Sequence, residues 1–430
     1  MRKEGLHGGK FAVWLASQKL PINFAITARV RGVITENQFY QAIANIRLKY
    51  QNLAMRVQTE PDGIPELIFD DNLEFPVRFS EKDYPEIWEQ TVIEQLVQLF
   101  DMQTRPPIQF TLLRGREVSE IIIICPHALA DGYSAIYVMR DLLDFLDNPA
   151  AGFEPMATTP PLTDLIPNFH GRWMTILLAK IKAALFKLQI RSTSDQDLSP
   201  EIQATLSTSN YHLLVWELTA EQTMRLVNRS HEERTTVHAA LCTAFLRAFG
   251  NLYGNKWNRK IQSPINLRER LTQPVGESFG LYIDLVEFYA NCDPEMDFWA
   301  VARKIKQEFI QHAGDRPVFS GVLDLVVLMD EVAPIITPEI LINQWPKVEY
   351  DLSITNLGKL DIPVHYGSLK LEALYGPTIT GNPTEIVLGV ITIGGKMYFS
   401  LVYTDWKLKP SQAEKIKESA MKWLAEAAEW

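Results

Sequence analysis

Apolar positions along the chain recur with two periods, and the periods alternate. Residues 23–30 form an apolar run of strand type, and Phe39, Ile43, Ile46 and Leu48 follow at roughly helical steps within 36–50. A second helix is expected over 87–99. Arg105-Pro106-Pro107 then breaks the chain, Phe110 to Leu113 reads as a strand, and Arg114-Gly115-Arg116 as a turn. Residues 120–125 place four isoleucines behind a single carboxylate, the pattern of a strand buried on both faces, and the run stops at Pro126. From 133 to 146 the apolar positions Ile136, Met139, Leu142, Leu143 and Leu146 mark one face of an amphipathic helix that lies on a sheet.

The alternation resumes in the second half. Residues 148–163 and 192–209 are rich in small, polar and turn-forming residues and read as connectors. Between them, 169–191 is apolar and basic, with Trp173, Ile176, Leu177, Ile181, Leu185 and Phe186, and is expected to hold one helix. Beyond it, strands are expected at 211–218, 260–264 and 281–289, and a helix at 236–252. Residues 386–393 and 396–402 flank Gly394-Gly395 as a hairpin. Ser411 to Glu414 fits a capping box that opens a last helix with Ile416, Ala420, Trp423, Leu424 and Ala427 inward. Strand and helix units in both halves predict two domains of α/β (α+β) class, at 1–160 and 210–430, joined by a linker at 161–209. No short-period repeat interrupts them.

Composition narrows the function classes. With 47% hydrophobic and 22% charged residues among 430, the chain has ordinary globular proportions, and disordered or fibrous readings lose support. A net charge of −10 makes nucleic acid an unfavourable partner. The three cysteines, Cys125, Cys242 and Cys292, are widely spaced with no CxxC pair, which argues against a disulfide framework and against a zinc site. The apolar run 11–16 is too short for a signal-peptide core, and no stretch reaches the ~18 apolar residues of a membrane span, so a cytoplasmic protein is expected.

Chemistry concentrates in Cys125-Pro126-His127-Ala128-Leu129-Ala130-Asp131-Gly132. A histidine directly after a buried strand sits where the chain leaves the core, and imidazole suits proton transfer near neutrality. On spacing alone the same residues also read as a structural histidine in a turn. A metal reading lacks a third ligand nearby. A Cys125–His238 nucleophile pair is disfavoured, because Cys125 follows four isoleucines and His238 falls inside a helix.

This strand, turn and helix resembles the His-His-x-x-x-Asp-Gly motif of the chloramphenicol acetyltransferase superfamily, which includes the condensation domains of peptide synthetases and related alcohol and polyketide acyltransferases. Ile22-Asn23-Phe24-Ala25, Gly32 to Glu36, Thr235 to Leu241, Pro264-Ile265-Asn266-Leu267-Arg268 and Thr355-Asn356-Leu357-Gly358 are similar to further segments of the family, in the expected order. The resemblance implies two chloramphenicol acetyltransferase-like domains, each a mostly antiparallel sheet with helices, and an active-site tunnel at the domain interface. It implies His127 as a general base that lets an acceptor hydroxyl or amine attack a thioester without an acyl-enzyme. Asp131 and Arg268 become an architectural ion pair, Gly132 a side-chain-free turn into the helix, and Asn356 a donor toward the acyl oxygen, with a turn asparagine as its other reading. No metal and no permanently bound cofactor are implied; the donor is acyl-CoA or an acyl group on a phosphopantetheinyl carrier protein.

One departure from the family pattern stands out: the first motif histidine is Pro126 here. Proline removes a backbone donor and fixes its own φ, so it could re-aim His127. Three functions therefore compete: ester formation from a thioester and an alcohol, amide formation in peptide or polyketide assembly, and a non-catalytic binding or docking role. The segment 169–191 adds a candidate contact with a membrane or an anionic donor.

Overall fold

A computed structural model of the chain describes residues 3–59, 64–82, 84–192, 197–199, 202–203, 210–254, 260–290, 296–344, 352–382 and 386–430. The first half runs β1 (Lys3–Gly5), α1 (Gly8–Ser17), β2 (Ile22–Arg31), α2 (Glu36–Lys49), β3 (Met55–Gln58), β4 (Glu66–Phe69), β5 (Val77–Glu81), α3 (Ile87–Leu96), β6 (Gln109–Arg114), β7 (Val118–Pro126) and α4 (Gly132–Asp147). A one-turn helix α5 (Leu162–Leu165) and the long α6 (Arg172–Ser192) then lead to β8 (Tyr211–Leu218), α7 (Ala220–Glu232), α8 (Val237–Tyr253), β9 (Lys260–Asn266) and β10 (Ile283–Tyr289). The remainder comprises α9 (Phe298–His312), α10 (Asp315–Val332), α11 (Pro338–Gln344), β11 (Leu352–Lys359), β12 (His365–Tyr366), β13 (Leu369–Tyr375), β14 (Thr378–Thr380), β15 (Val387–Ile393), β16 (Lys396–Thr404) and α12 (Pro410–Ala428).

Two large sheets, each with its own apolar core, organise most of these elements, and β1, β4 and β3 form a small antiparallel sheet beside them. The first has the order β12-β13-β2-β7-β6-β5, with β14 also on β2, and is antiparallel except between β5 and β6. Its centre is β7, whose four isoleucines are buried, as a strand covered on both faces requires. The second sheet has the order β10-β9-β11-β15-β16-β8 and is antiparallel except on the two sides of β11. Gly394 and Gly395 both have positive φ, as the tight turn between β15 and β16 demands.

The sheets do not follow the chain halves. Residues 365–380 leave the second half and complete the first sheet along β2, so the expected segment 210–430 contributes strands to both cores. Most of the connector 192–209, the end of the expected linker 161–209, lies outside the described residues together with Cys292; Cys125 and Cys242 are free and buried.

Two element boundaries depart from expectation. The helix expected over 87–99 ends at Leu96, because the buried Asn23 side chain donates to the carbonyls of Leu96 and Gln98, each at 2.8 Å. The last helix does not open on a Ser411–Glu414 box. Pro410 occupies its first turn, Gln412 reaches back to the Lys409 N–H at 3.0 Å, and Glu414 pairs with Lys417. The helices α1, α7 and α9 to α11 were not anticipated. Among the described residues no helix is long and apolar enough to cross a membrane, and no cluster of metal-ligating side chains forms.

Candidate active site

The turn after β7 is held at both ends. The His127 N–H donates to the Ile22 carbonyl at 3.0 Å, extending the β2–β7 ladder by one bond past the Asn23–Pro126 pair. In an antiparallel ladder successive residues point to opposite neighbours. Pro126 therefore turns its missing N–H toward β6, whose register with β7 ends at Gln109–Ile124. Proline at this position removes no ladder bond, and the strand delivers His127 to the turn without a bulge.

The His127 ring packs on Phe24, with centroids 4.6 Å apart. In its neutral form the ring carries one N–H and one nitrogen that can accept a proton. The residue is half-buried, and desolvation of its ring pushes the pKa down to about 4 against the opposing pull of the Asp131 carboxylate and the Ala130 carbonyl. The imidazole is consequently neutral throughout the neutral range.

Asp131 caps α4: its Oδ1 accepts from the Ser134 N–H at 2.8 Å. The same carboxylate receives Arg268 Nη2 at 2.8 and 3.0 Å and the Tyr282 N–H at 2.9 Å. Arg268 leaves the end of β9 and commits its other terminal nitrogen to the carbonyls of Gly276 and Ser278, at 3.0 and 2.9 Å. Asp131 and Arg268 are almost fully buried, and the Tyr282 ring stacks on the guanidinium at 4.7 Å. The pair joins the loop after the first sheet to the end of a strand in the second, a clasp between the halves.

Ser134 is the member of this clasp that sequence reasoning missed. Its hydroxyl accepts from Arg268 Nη2 and from the Gly280 N–H, and lies 2.9 Å from Asp131 Oδ1 and 2.8 Å from the Gly280 carbonyl, either of which can take its proton. Its place three residues after a capping aspartate was the available signal.

Gly132 and the segment 355–358 also meet. A Cβ on Gly132 would lie 3.3 and 3.4 Å from the Leu357 methyl carbons, so close approach, and not a left-handed φ, keeps that position bare. The Tyr133 hydroxyl donates to the Leu357 carbonyl at 3.0 Å. Asn356 turns its side-chain carbonyl onto the Gly358 N–H at 2.9 Å, with Gly358 at φ 69°, so part of its hydrogen-bonding capacity serves that turn. Leu357, not Asn356, makes the contacts with the start of α4.

Two other features lie apart from His127. His238 does not approach Cys125; it sits 3.0 Å from Ser263 Oγ and 3.6 Å from Cys242 Sγ, with its pKa pushed down to about 4 by burial. A cavity of about 90 Å³ is lined by His7, Lys10, Ile166, Leu281, Asp284 and Val322 among others, and His127 is not among them.

Comparison with solved structures places this geometry in a known architecture. Trichothecene 15-O-acetyltransferase from Fusarium sporotrichioides superposes over 99% of this chain and 94% of its own with a TM-score of 0.70 at 11% identity. The first condensation domain of the calcium-dependent antibiotic synthetase covers 99% and 96%, with a TM-score of 0.70 at 13% identity. The chain has the fold of the chloramphenicol acetyltransferase and condensation-domain superfamily. Polyketide synthase associated protein 5 from Mycobacterium tuberculosis shares that fold over 99% of this chain and 100% of its own, with a TM-score of 0.62 at 15% identity. Residues 211–380 match the sequence profile described as phthiocerol/phthiodiolone dimycocerosyl transferase C-terminus. Comparison with curated protein sequences finds no match.

Proposed function

We propose that the protein is an acyltransferase that moves an acyl group from a thioester, carried on coenzyme A or an acyl carrier protein, to an acceptor hydroxyl. His127 is the general base in this reading. Its free ring nitrogen takes the hydroxyl proton as the oxygen attacks the thioester carbonyl, and the thiolate leaves without an acyl-enzyme. The observation that carries the proposal is the neutral His127 ring, packed on Phe24 just past the end of β7, four residues before the buried clasp of Asp131 and Arg268. Hydroxyl acceptors are favoured over amines because one neighbour of the fold is named a 15-O-acetyltransferase and residues 211–380 match a dimycocerosyl transferase profile. The undistorted β7 ladder at Pro126 weighs against the non-catalytic reading.

The role of Asn356 in this scheme is donation from its amide nitrogen toward the acyl oxygen, where one such bond in the transition state is worth about 3 kcal/mol. The division of the chain at 1–160, 161–209 and 210–430, with residues 365–380 crossing over to the first sheet, is proposed as the frame in which donor and acceptor enter a tunnel between the halves. No permanently bound cofactor is required by this chemistry, and a cytoplasmic location fits its substrates.

Mass spectrometry of products formed from a panel of acyl thioesters with alcohol and amine acceptors tests the proposal. The expected result is ester product from the wild-type protein and a loss of at least a hundredfold in rate for His127→Ala. Equal product from both proteins would remove His127 as the base, and product with amines alone would reassign the acceptor.

A further inference from the structure

The outer face of α6 is built opposite to a solvent-facing helix. Met174, Leu177, Leu178, Ile181, Leu185 and Leu188 recur at steps of one, three and four residues. At 3.6 residues per turn they fall within an arc of about 100° and a length of about 21 Å. All six are exposed, Leu185 and Leu188 by 62% and 64%, and Trp173 beside them by 68%. The inner face is apolar as well, with Ala179, Ala183 and Ile190 buried toward the body of the protein. A helix apolar on both faces is ordinarily covered on both.

We propose that the outer face of α6 docks on the surface of a lipid bilayer, lying in the interface with the leucine and isoleucine stripe among the acyl chains. Charge selects this occupant. Lys180 and Lys182 project from the two sides of the stripe, and no acidic residue occurs between 165 and 192. Lys182 and Lys187 pair with Asp324 and Glu331 of α10, at 2.7 and 2.8 Å, so the neighbouring carboxylates are already engaged. A second copy of the same helix, packed face to face, would meet Lys180 with no acidic residue on either helix, Lys182 being already matched by Asp324 of α10. Phosphate headgroups supply that countercharge to Lys180, and Trp173 at the start of the stripe suits the headgroup level. Insertion of the stripe dominates the attraction, because two of the basic side chains are satisfied within the protein.

Flotation of the whole protein with vesicles of phosphatidylcholine, and of phosphatidylcholine mixed with phosphatidylglycerol, tests the proposal. Wild-type protein is expected to float with both and more strongly with the mixed vesicles. Ile181→Glu and, separately, Leu188→Glu are each expected to lower the bound fraction more than about tenfold, with unchanged thermal melting, since both positions are exposed. A wild-type protein that stays at the bottom with both vesicles overturns the proposal, as does binding that neither substitution weakens. A dimer in light scattering that Ile181→Glu splits, with no flotation, would give the face to a second copy. None of these readouts requires turnover, so the surface stands or falls apart from the chemistry proposed for His127.

Discussion

Asp131 and Arg268 compensate one another in a place where neither could stand alone. Both are out of water, and the carboxylate has three further donors around it in the Ser134 and Tyr282 N–H groups and the Ser134 hydroxyl. Such a pair is weak evidence for stability as a unit, yet removal of one member leaves the other as an uncompensated buried charge. Asp131→Ala is therefore expected to cost about 3–5 kcal/mol in urea denaturation, through Arg268 and the lost cap of α4 together. A loss below about 1 kcal/mol would mean that water enters and solvates Arg268. The pairing was legible because each residue sits in a recognisable segment. Ser134 was not, since a serine three residues into a helix is unremarkable until its neighbours are known. Pro126 carries the reverse lesson: an unusual residue whose missing N–H falls where the adjoining strand has already stopped.

At the scale of elements, α8 and β9 are coupled through His238, whose ring nitrogen meets Ser263 on the strand while the helix is capped by Thr236. Its pKa near 4 in the folded protein lies below the ~6.5 of an unfolded histidine, so on acidification the unfolded chain takes the proton first. The stability this contributes is full above about pH 6.5 and is lost as pH falls toward 4. His127 acts with the same sign. Asp284, pushed up to about 6 by burial, and His7, raised by Asp330, act with the opposite sign, so the whole protein's pH profile does not isolate His238. A comparison does: between pH 7 and 5, wild-type protein is expected to lose about 1–2 kcal/mol more denaturation free energy than His238→Gln. Equal losses would place the protonated ring in a solvated setting.

The helix α4 was readable from the period of its apolar face, and α8 and β16, buried almost throughout, from their apolar runs. The helix α10 was not. It packs between α6 and α1, so apolar residues surround it, and Pro317 and Gly321 add signals that ordinarily mark turns. The strands β12 and β14 are two and three residues long, too short to display a period, and owe their existence to their partners, β13 and β2 respectively.

For the whole molecule, the decisive feature is that the first sheet is finished by residues 365–380. Without them β2 would present an open edge and the apolar core beneath it would lose Tyr366, Leu369, Leu371, Leu374 and Ile379. A fragment of residues 1–209 is accordingly expected to aggregate or stay unfolded by circular dichroism and size-exclusion chromatography. A soluble, cooperatively melting fragment would show that the crossing strands are dispensable. Those pairings also connect residues about as far apart in the chain as any in the protein, which places the fold among slow, high-contact-order topologies.

The crossing has a consequence in time as well as in space. A ribosome adding 5–20 residues per second needs roughly 20–70 s to travel from β2 to the strands that close its edge. From the completion of β7 at Pro126 until His365 is made, the nascent first half has its central isoleucine strand ready and its border unguarded, so this protein's exposure to chaperones is set by translation speed over more than half of the chain.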